Sequence, residues 1–144
     1  MADDSISRLR VILQKVDFFN SLKLNDLDML IQALRKRKAI KGDEIITQGT
    51  PGDSFYMISK GRVSVYVKKG MTKVKVAELR DGDFFGEMAL VNDEVRNATI
   101  VADEPVECFV LYKTDFKKIL LANTKISAII KEVLSKRKRT NQGG

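Results

Sequence analysis

The sequence contains no histidine, which removes the commonest general base and the commonest metal ligand. A single cysteine, Cys108, rules out a disulfide within the chain and any cysteine-built metal cluster. No stretch approaches the roughly 18 consecutive apolar residues that a membrane helix needs. The N-terminal MADDSISRLR lacks the apolar centre of a secretory signal. Neither a GxSxG elbow nor a P-loop occurs. With one cysteine and no such signal, a cytoplasmic location is the simplest expectation.

What is present fits one globular domain with enough chain for a core: 144 residues, 44% apolar and 31% charged. The formal net charge is +7, and much of it sits in Arg35–Lys38 and Lys136–Arg139. Such clusters can attract nucleic acid, anionic lipid or an acidic partner. They also suit the solvated C-terminal ends of helices, where cations meet the helix dipole. Short basic clusters are weak signals, and the helix-end reading is the simpler one.

Taken in order, residues 5 to 16 read as a helix with Asp3, Asp4 and Ser5 as caps. Its apolar stripe is Ile6, Leu9, Val11, Ile12, Leu13 and Val16. Phe18, Phe19 and Leu22 look like a buried anchor, and Asn25 opens a second helix from Asp26 to Leu34. From Arg37 to Tyr112 the pattern changes to short alternating runs punctuated by glycines, as in Val63-Ser64-Val65-Tyr66-Val67. Short strands at regular turn spacing predict a sandwich or jelly roll. Cys108 shares a strand face with Val110 and Tyr112 and reads as a core residue, since no histidine exists to activate it. A short helix from Asp115 to Leu121, capped by Thr114, precedes a last helix from about Lys125 to Lys138. The last helix carries Ile126, Ile129, Ile130, Val133 and Leu134 on one stripe. The expected layout is therefore one domain over residues 1–139: helices at 5–34, strands at 37–112 and helices at 115–138. A disordered tail is expected at 140–144.

The informative stretch runs from Phe84 to Ile100. Phe85-Gly86 ends a strand run and leads into Glu87-Met88-Ala89-Leu90; Arg96 follows nine positions after Glu87. Glycine lets a ligand approach backbone closely. A helix start offers free N–H groups to an anion. The arginine fork is the side chain best shaped for phosphate. A carboxylate beside a phosphate is out of place unless the ligand also offers a hydroxyl, which Glu87 would accept. Phosphate and sugar hydroxyl on one small ligand point to a nucleotide. The bland alternative for Glu87 and Arg96 is a surface ion pair across a turn.

Phe85-Gly86-Glu87-Met88-Ala89-Leu90 and Arg96-Asn97-Ala98-Thr99 closely resemble the phosphate-binding cassette of cyclic nucleotide-binding domains, with the family's Glu-to-Arg spacing. This family includes regulatory domains of cAMP- and cGMP-dependent kinases, cyclic nucleotide-gated channels and catabolite activator-like receptors. The family often has proline before the arginine, and here Val95 stands there. The resemblance implies a mainly β fold with flanking helices: an eight-stranded jelly-roll-like β-roll, N-terminal helices, a short cassette helix and a C-terminal lid helix. It implies no catalysis and no cofactor, but a ligand, cAMP or cGMP. Arg96 would hold the phosphate, with N–H groups near Ala89 and Leu90. Glu87 would accept from the ribose 2′-hydroxyl, Gly86 would admit the sugar, and Val76 would wall the base. Family members selective for cGMP often carry Thr or Ser directly after the arginine, and some carry Arg at the position of Ala77. This chain has Asn97 and Ala77, so cAMP is favoured; Asn97 can donate and accept, so cGMP stays open.

The resemblance further implies that the last helix closes over the base, with Ile129, Ile130, Val133 and Arg137 as candidate lid residues. The partner would then be a protein effector or a fused effector domain outside this chain. Only about ten residues follow the last apolar position, too few for a DNA-binding module, so an excised regulatory domain or a stand-alone receptor is expected. Three competing readings remain: an interaction module that has lost the ligand, a binder of nucleic acid or an acidic partner through the basic clusters, and a cupin-like enzyme. Intact Glu87 and Arg96 weigh against the first, and the weakness of the basic signal weighs against the second. The absence of histidine and of clustered ligands weighs against the third.

Overall fold

The computed structural model describes the backbone of residues 2–143 and the side chains of residues 6–136. The chain divides into two compact units, residues 34–113 and a helical unit of residues 1–33 with 114–144.

The first unit is the β-roll. Its strands are β1 (Arg35–Ala39), β2 (Glu44–Ile46), β3 (Ser54–Lys60), β4 (Arg62–Lys69), β5 (Thr72–Arg80), β6 (Phe84–Phe85), β7 (Thr99–Ala102) and β8 (Val106–Tyr112). They form two antiparallel four-stranded sheets, ordered β1-β8-β3-β6 and β2-β7-β4-β5. The core between them takes alternate residues of each strand, among them Ile58, Val63, Ile100, Ala102, Val106, Cys108 and Val110. This alternation is what period-2 patterning dictates when one face is buried. The jelly-roll expectation is met.

Cys108 lies in that core, and burial pushes its thiol up to about 11, only partly offset by the Arg37 charge. A raised folded value means that the buried neutral thiol contributes its full stability below the ordinary value of 9.0. That contribution is lost as pH climbs toward about 11. Cys108 is therefore expected to resist thiol reagents in the native state at pH 8 and to label fully in denaturant. Rapid native labelling would show that this strand is not buried.

One expectation is corrected here. Arg35–Lys38 is not a helix end but strand β1, paired residue for residue with β8 at the edge of its sheet. Three of its four charges are engaged on the surface of the roll. Arg35 lies over the Tyr112 ring, Lys36 pairs with Glu107 at 2.8 Å, and Arg37 donates to the Tyr56 hydroxyl at 3.0 Å. A lysine- and arginine-rich edge also discourages another strand from adding to the sheet. These engagements weaken the nucleic-acid reading of this cluster.

The helical unit contains α1 (Ala2–Gln14), a 3₁₀ turn (Asp17–Phe19), α2 (Leu24–Ala33), α3 (Lys113–Ala122) and α4 (Thr124–Gly143). Leu9, Ile12, Leu13, Val16, Phe18, Phe19, Leu22, Leu27 and Leu30 are buried as the stripe predicts, but Val11 points to solvent at 55% exposure. Phe19 meets Phe116 edge-on at 5.9 Å, and Arg10 is bound by Asp28 in a two-pronged pair. Asn123 caps α4, its side-chain oxygen accepting from the Ile126 N–H at 3.1 Å. The helix continues past the expected end near residue 138 to Gly143, so residues 140–143 are helical where disorder was expected. The side chains of Asp3, Asp4 and Ser5, and of Arg137 and the rest of the C-terminal cluster beyond Lys136, lie outside the described residues, as does Gly144.

Candidate functional site

Two loops zip together to present Arg96. The Arg96 N–H donates to the Thr50 carbonyl at 2.8 Å, and its own carbonyl accepts from the Gly49 N–H at 2.8 Å. Gly52 N–H reaches the Glu94 carbonyl at 3.3 Å, and Pro51 and Val95 form a bridge between the same loops. Gly52 has to be small here: a Cβ at this position would stand 3.1 Å from both the Ala89 Cβ and the Glu94 carbonyl. The arginine backbone is thus fixed from both sides before its side chain touches anything.

The guanidinium turns inward. Nη2 donates to the Ser54 carbonyl at 2.6 Å and to Ser54 Oγ at 3.3 Å, and Nη1 approaches the Gly86 carbonyl at 3.5 Å. Gly86 holds φ at +78°, a conformation that side chains rarely adopt, and a Cβ there would come within 2.7 Å of Nη1. Burial pushes the Arg96 pKa down, while Tyr56, Asp53 and Glu87 pull it back up. No carboxylate stands at ion-pair distance from Arg96 among the described residues, unlike Arg10, Lys36 or Lys113. A half-buried cation that bonds only neutral acceptors is electrostatically unfinished. The bland alternative, a Glu87–Arg96 ion pair, does not form.

Glu87 opens the 3₁₀ turn Glu87–Leu90 directly after Gly86. Its carboxylate is half-buried, and nothing among the described residues bonds it. The Ala89 N–H already closes that turn onto the Gly86 carbonyl at 3.2 Å. Two cavities border Arg96. One of about 190 Å³ is formed by the cassette, from Gly86, Glu87 and Met88 to Asn97. The other, of about 340 Å³, lies toward Ile46, Asp53 and Tyr56.

The remaining expected residues separate. Phe85 is core, stacked on Tyr56 at 5.0 Å between centroids, and Ala89 and Leu90 are buried. Asn97 is exposed and Ala98 half-buried. Thr99 faces away from the core, where its Oγ1 accepts from the Gln48 N–H at 2.9 Å and borders a different cavity. Val76 falls in a register break of β5, between Val65/Ala77 and Tyr66/Lys75, and is 56% exposed. It borders neither cavity beside Arg96. In the helical unit Ile130 is buried, with Ile129 and Val133 half-buried. Ser54, Gly49, Thr50 and Gly52 hold the arginine, yet the sequence does not single them out. Nearly all their contacts run through backbone, which leaves no side-chain signature.

A family model described as the cyclic nucleotide-binding domain matches residues 36–123. The chain is 41% identical over 108 residues to the cAMP-dependent protein kinase regulatory subunit of Debaryomyces hansenii, covering 74% of this chain and 23% of that protein. It is 47% identical over 83 residues to the cGMP-dependent protein kinase, isozyme 1, of Drosophila melanogaster, covering 55% and 11%. The solved structure of cAMP-bound PfPKA-R (141–441) superposes with a TM-score of 0.74 at 29% identity, over 81% of this chain and 42% of that one. The N-terminal domain of a transcriptional regulator from Streptomyces coelicolor A3(2) shares the fold, with a TM-score of 0.82 at 20% identity over 92% and 96%. The chain spans less than a third of the length of the curated relatives it matches, from 11% to 31%.

Proposed function

The chain belongs to the cyclic nucleotide-binding domain family, and we propose that its cassette binds one 3′,5′-cyclic nucleotide monophosphate, cAMP in preference to cGMP, as a non-catalytic sensor. The observation that carries this reading is Arg96: a half-buried guanidinium, fixed through its backbone and left without a carboxylate partner among the described residues. An anionic phosphodiester would supply the missing charge and accept the fork in a two-pronged bond. The unengaged Glu87 carboxylate, nine residues earlier, would accept from the ribose 2′-hydroxyl. Gly86 keeps the space between them free of a Cβ.

Asn97 and Ala77 support cAMP, because neither offers the hydroxyl or the guanidinium expected of a cGMP pocket. The cGMP reading keeps one specific support, the 47% identity to a protein named as a cGMP-dependent kinase. Displacement of a fluorescent cAMP analogue by unlabelled cAMP and cGMP separates the two. Selectivity for cAMP of about tenfold or more, roughly 1.4 kcal/mol, is expected; equal or reversed displacement would overturn the base assignment. The proposed output is a population shift of α4 on ligand binding, read out by an effector. Hydrogen exchange along Thr124–Lys136 should slow when cAMP is added, and unchanged exchange would remove α4 from the mechanism. Nucleotide-driven signalling to a kinase or other partner is part of this proposal.

A further inference from the structure

The β4–β5 ribbon carries features that nucleotide binding does not use. The two strands pair along their whole length, but β7 supports β4 only from Val63 to Tyr66. From Val67 to Val74 the strands pair only with each other. Every residue from Lys68 to Glu78 is exposed. Met71, at the turn, is 100% exposed, and Val74 is 47% exposed. Between Val63 and Leu79 lie Lys68, Lys69, Lys73 and Lys75, with Glu78 as the only acid and no arginine. Lys75 is taken by Glu78, and Lys73 rests over the Tyr66 ring at 4.6 Å. The Lys68 and Lys69 ammonium groups have no ion partner among the described residues.

The root of the ribbon is braced. The Gln48 side-chain amide accepts from the Lys68 N–H at 2.8 Å and donates to the Lys68 carbonyl at 3.1 Å, so the lysines are held out on a fixed stem. A cavity of about 620 Å³ opens on the outer side of this sheet beside Tyr66, Lys68 and Lys73. No residue from Lys68 to Lys73 borders the cavities next to Arg96.

The residue types choose among polyanions. Recognition of an acidic peptide favours the arginine fork, which matches carboxylates in two prongs. Lysine instead places a hydrated point charge on a long apolar stem, which suits a headgroup layer above a hydrocarbon boundary. A fully exposed methionine at the tip adds an apolar group with nothing to bury it in water. We infer that the ribbon docks reversibly on an anionic phospholipid bilayer, with Met71 entering the interface and Lys68, Lys69 and Lys73 lying at the phosphates. Apolar insertion and anionic attraction then act as the two weak signals that peripheral binding needs.

The test is co-sedimentation of the full chain with vesicles of phosphatidylcholine alone and of phosphatidylcholine with phosphatidylserine. Binding is expected only to the second, and it should fall as salt rises. Met71→Ser should reduce the partition coefficient about tenfold. Lys68→Gln with Lys69→Gln should reduce it about 25-fold. Both variants should keep the wild-type melting midpoint, since the residues are exposed. No partition onto phosphatidylserine at low salt would overturn the proposal, and so would partition that Met71→Ser leaves unchanged. Loss of binding on neutralising Lys136–Arg139, with the ribbon variants still bound, would assign it to the C-terminal cluster. Saturable capture of poly-glutamate, indifferent to Met71→Ser, would replace the bilayer with an acidic protein.

Discussion

Arg96→Ala is expected to weaken cAMP binding by roughly 10- to 150-fold, because a hydrogen bond to a charged group contributes about 1.5–3 kcal/mol net. The guanidinium is expected to form more than one such bond to the phosphate, which sets the upper part of that range. The stability cost should be smaller. The substitution gives up bonds to the Ser54 and Gly86 carbonyls, but it also removes a half-buried cation with no ion partner among the described residues. Arg96→Lys keeps the charge and loses the fork, so it should recover only part of the affinity. A fluorescence displacement titration with a parallel thermal melt reads both quantities. If the alanine variant melted far lower and bound cAMP nearly as well, Arg96 would be a strut between β3 and the cassette and not the phosphate ligand.

The largest stability effect is expected at Gly61, between β3 and β4. Its φ is +114°, and an added Cβ would lie 2.7 Å from the Pro105 carbonyl and 2.9 Å from the Val106 Cα. Those are backbone atoms of the loop entering β8 and cannot step aside as a side chain can. Gly86 offers a contrast, since its nearest obstacle is the movable end of Arg96. The Gly61 N–H also donates to Asp81 Oδ1 at 2.7 Å, so a shift here would disturb the β5–β6 turn as well. Gly61→Ala should cost about 3 kcal/mol and lower the melting midpoint by about 10 °C. A midpoint within 2 °C of wild type, roughly the effect of a neutral surface change, would mean that the turn relaxes freely and the packing around Pro105 is loose.

The cassette was legible because its residues are chosen for chemistry that shows in side-chain type: Gly86, Glu87 and Arg96 at fixed spacing. The roll was legible because alternation and glycine turns follow directly from burying one face of a strand. The charged strand β1 was not, since Arg35–Lys38 has no apolar alternation to read. Its identity comes from pairing with β8, more than sixty residues away, and from ring contacts to Tyr56 and Tyr112. The support for Arg96 was hidden for a related reason. Gly49, Thr50 and Ser54 grip it mainly through carbonyls and N–H groups, which every residue has. Val11 misled because three consecutive apolar residues, Val11 to Leu13, cannot all face the core of a helix. Asn123 carried a usable cap signal, which placement of the helix start at Lys125 passed over.

The central claim is that this cassette holds a cyclic nucleotide, and isothermal titration of the wild-type chain with cAMP tests it most directly. The account predicts a saturable exothermic isotherm with one site per chain, abolished or strongly weakened in Arg96→Ala. The absence of a saturable isotherm with either cAMP or cGMP, from protein that melts cooperatively, would contradict it.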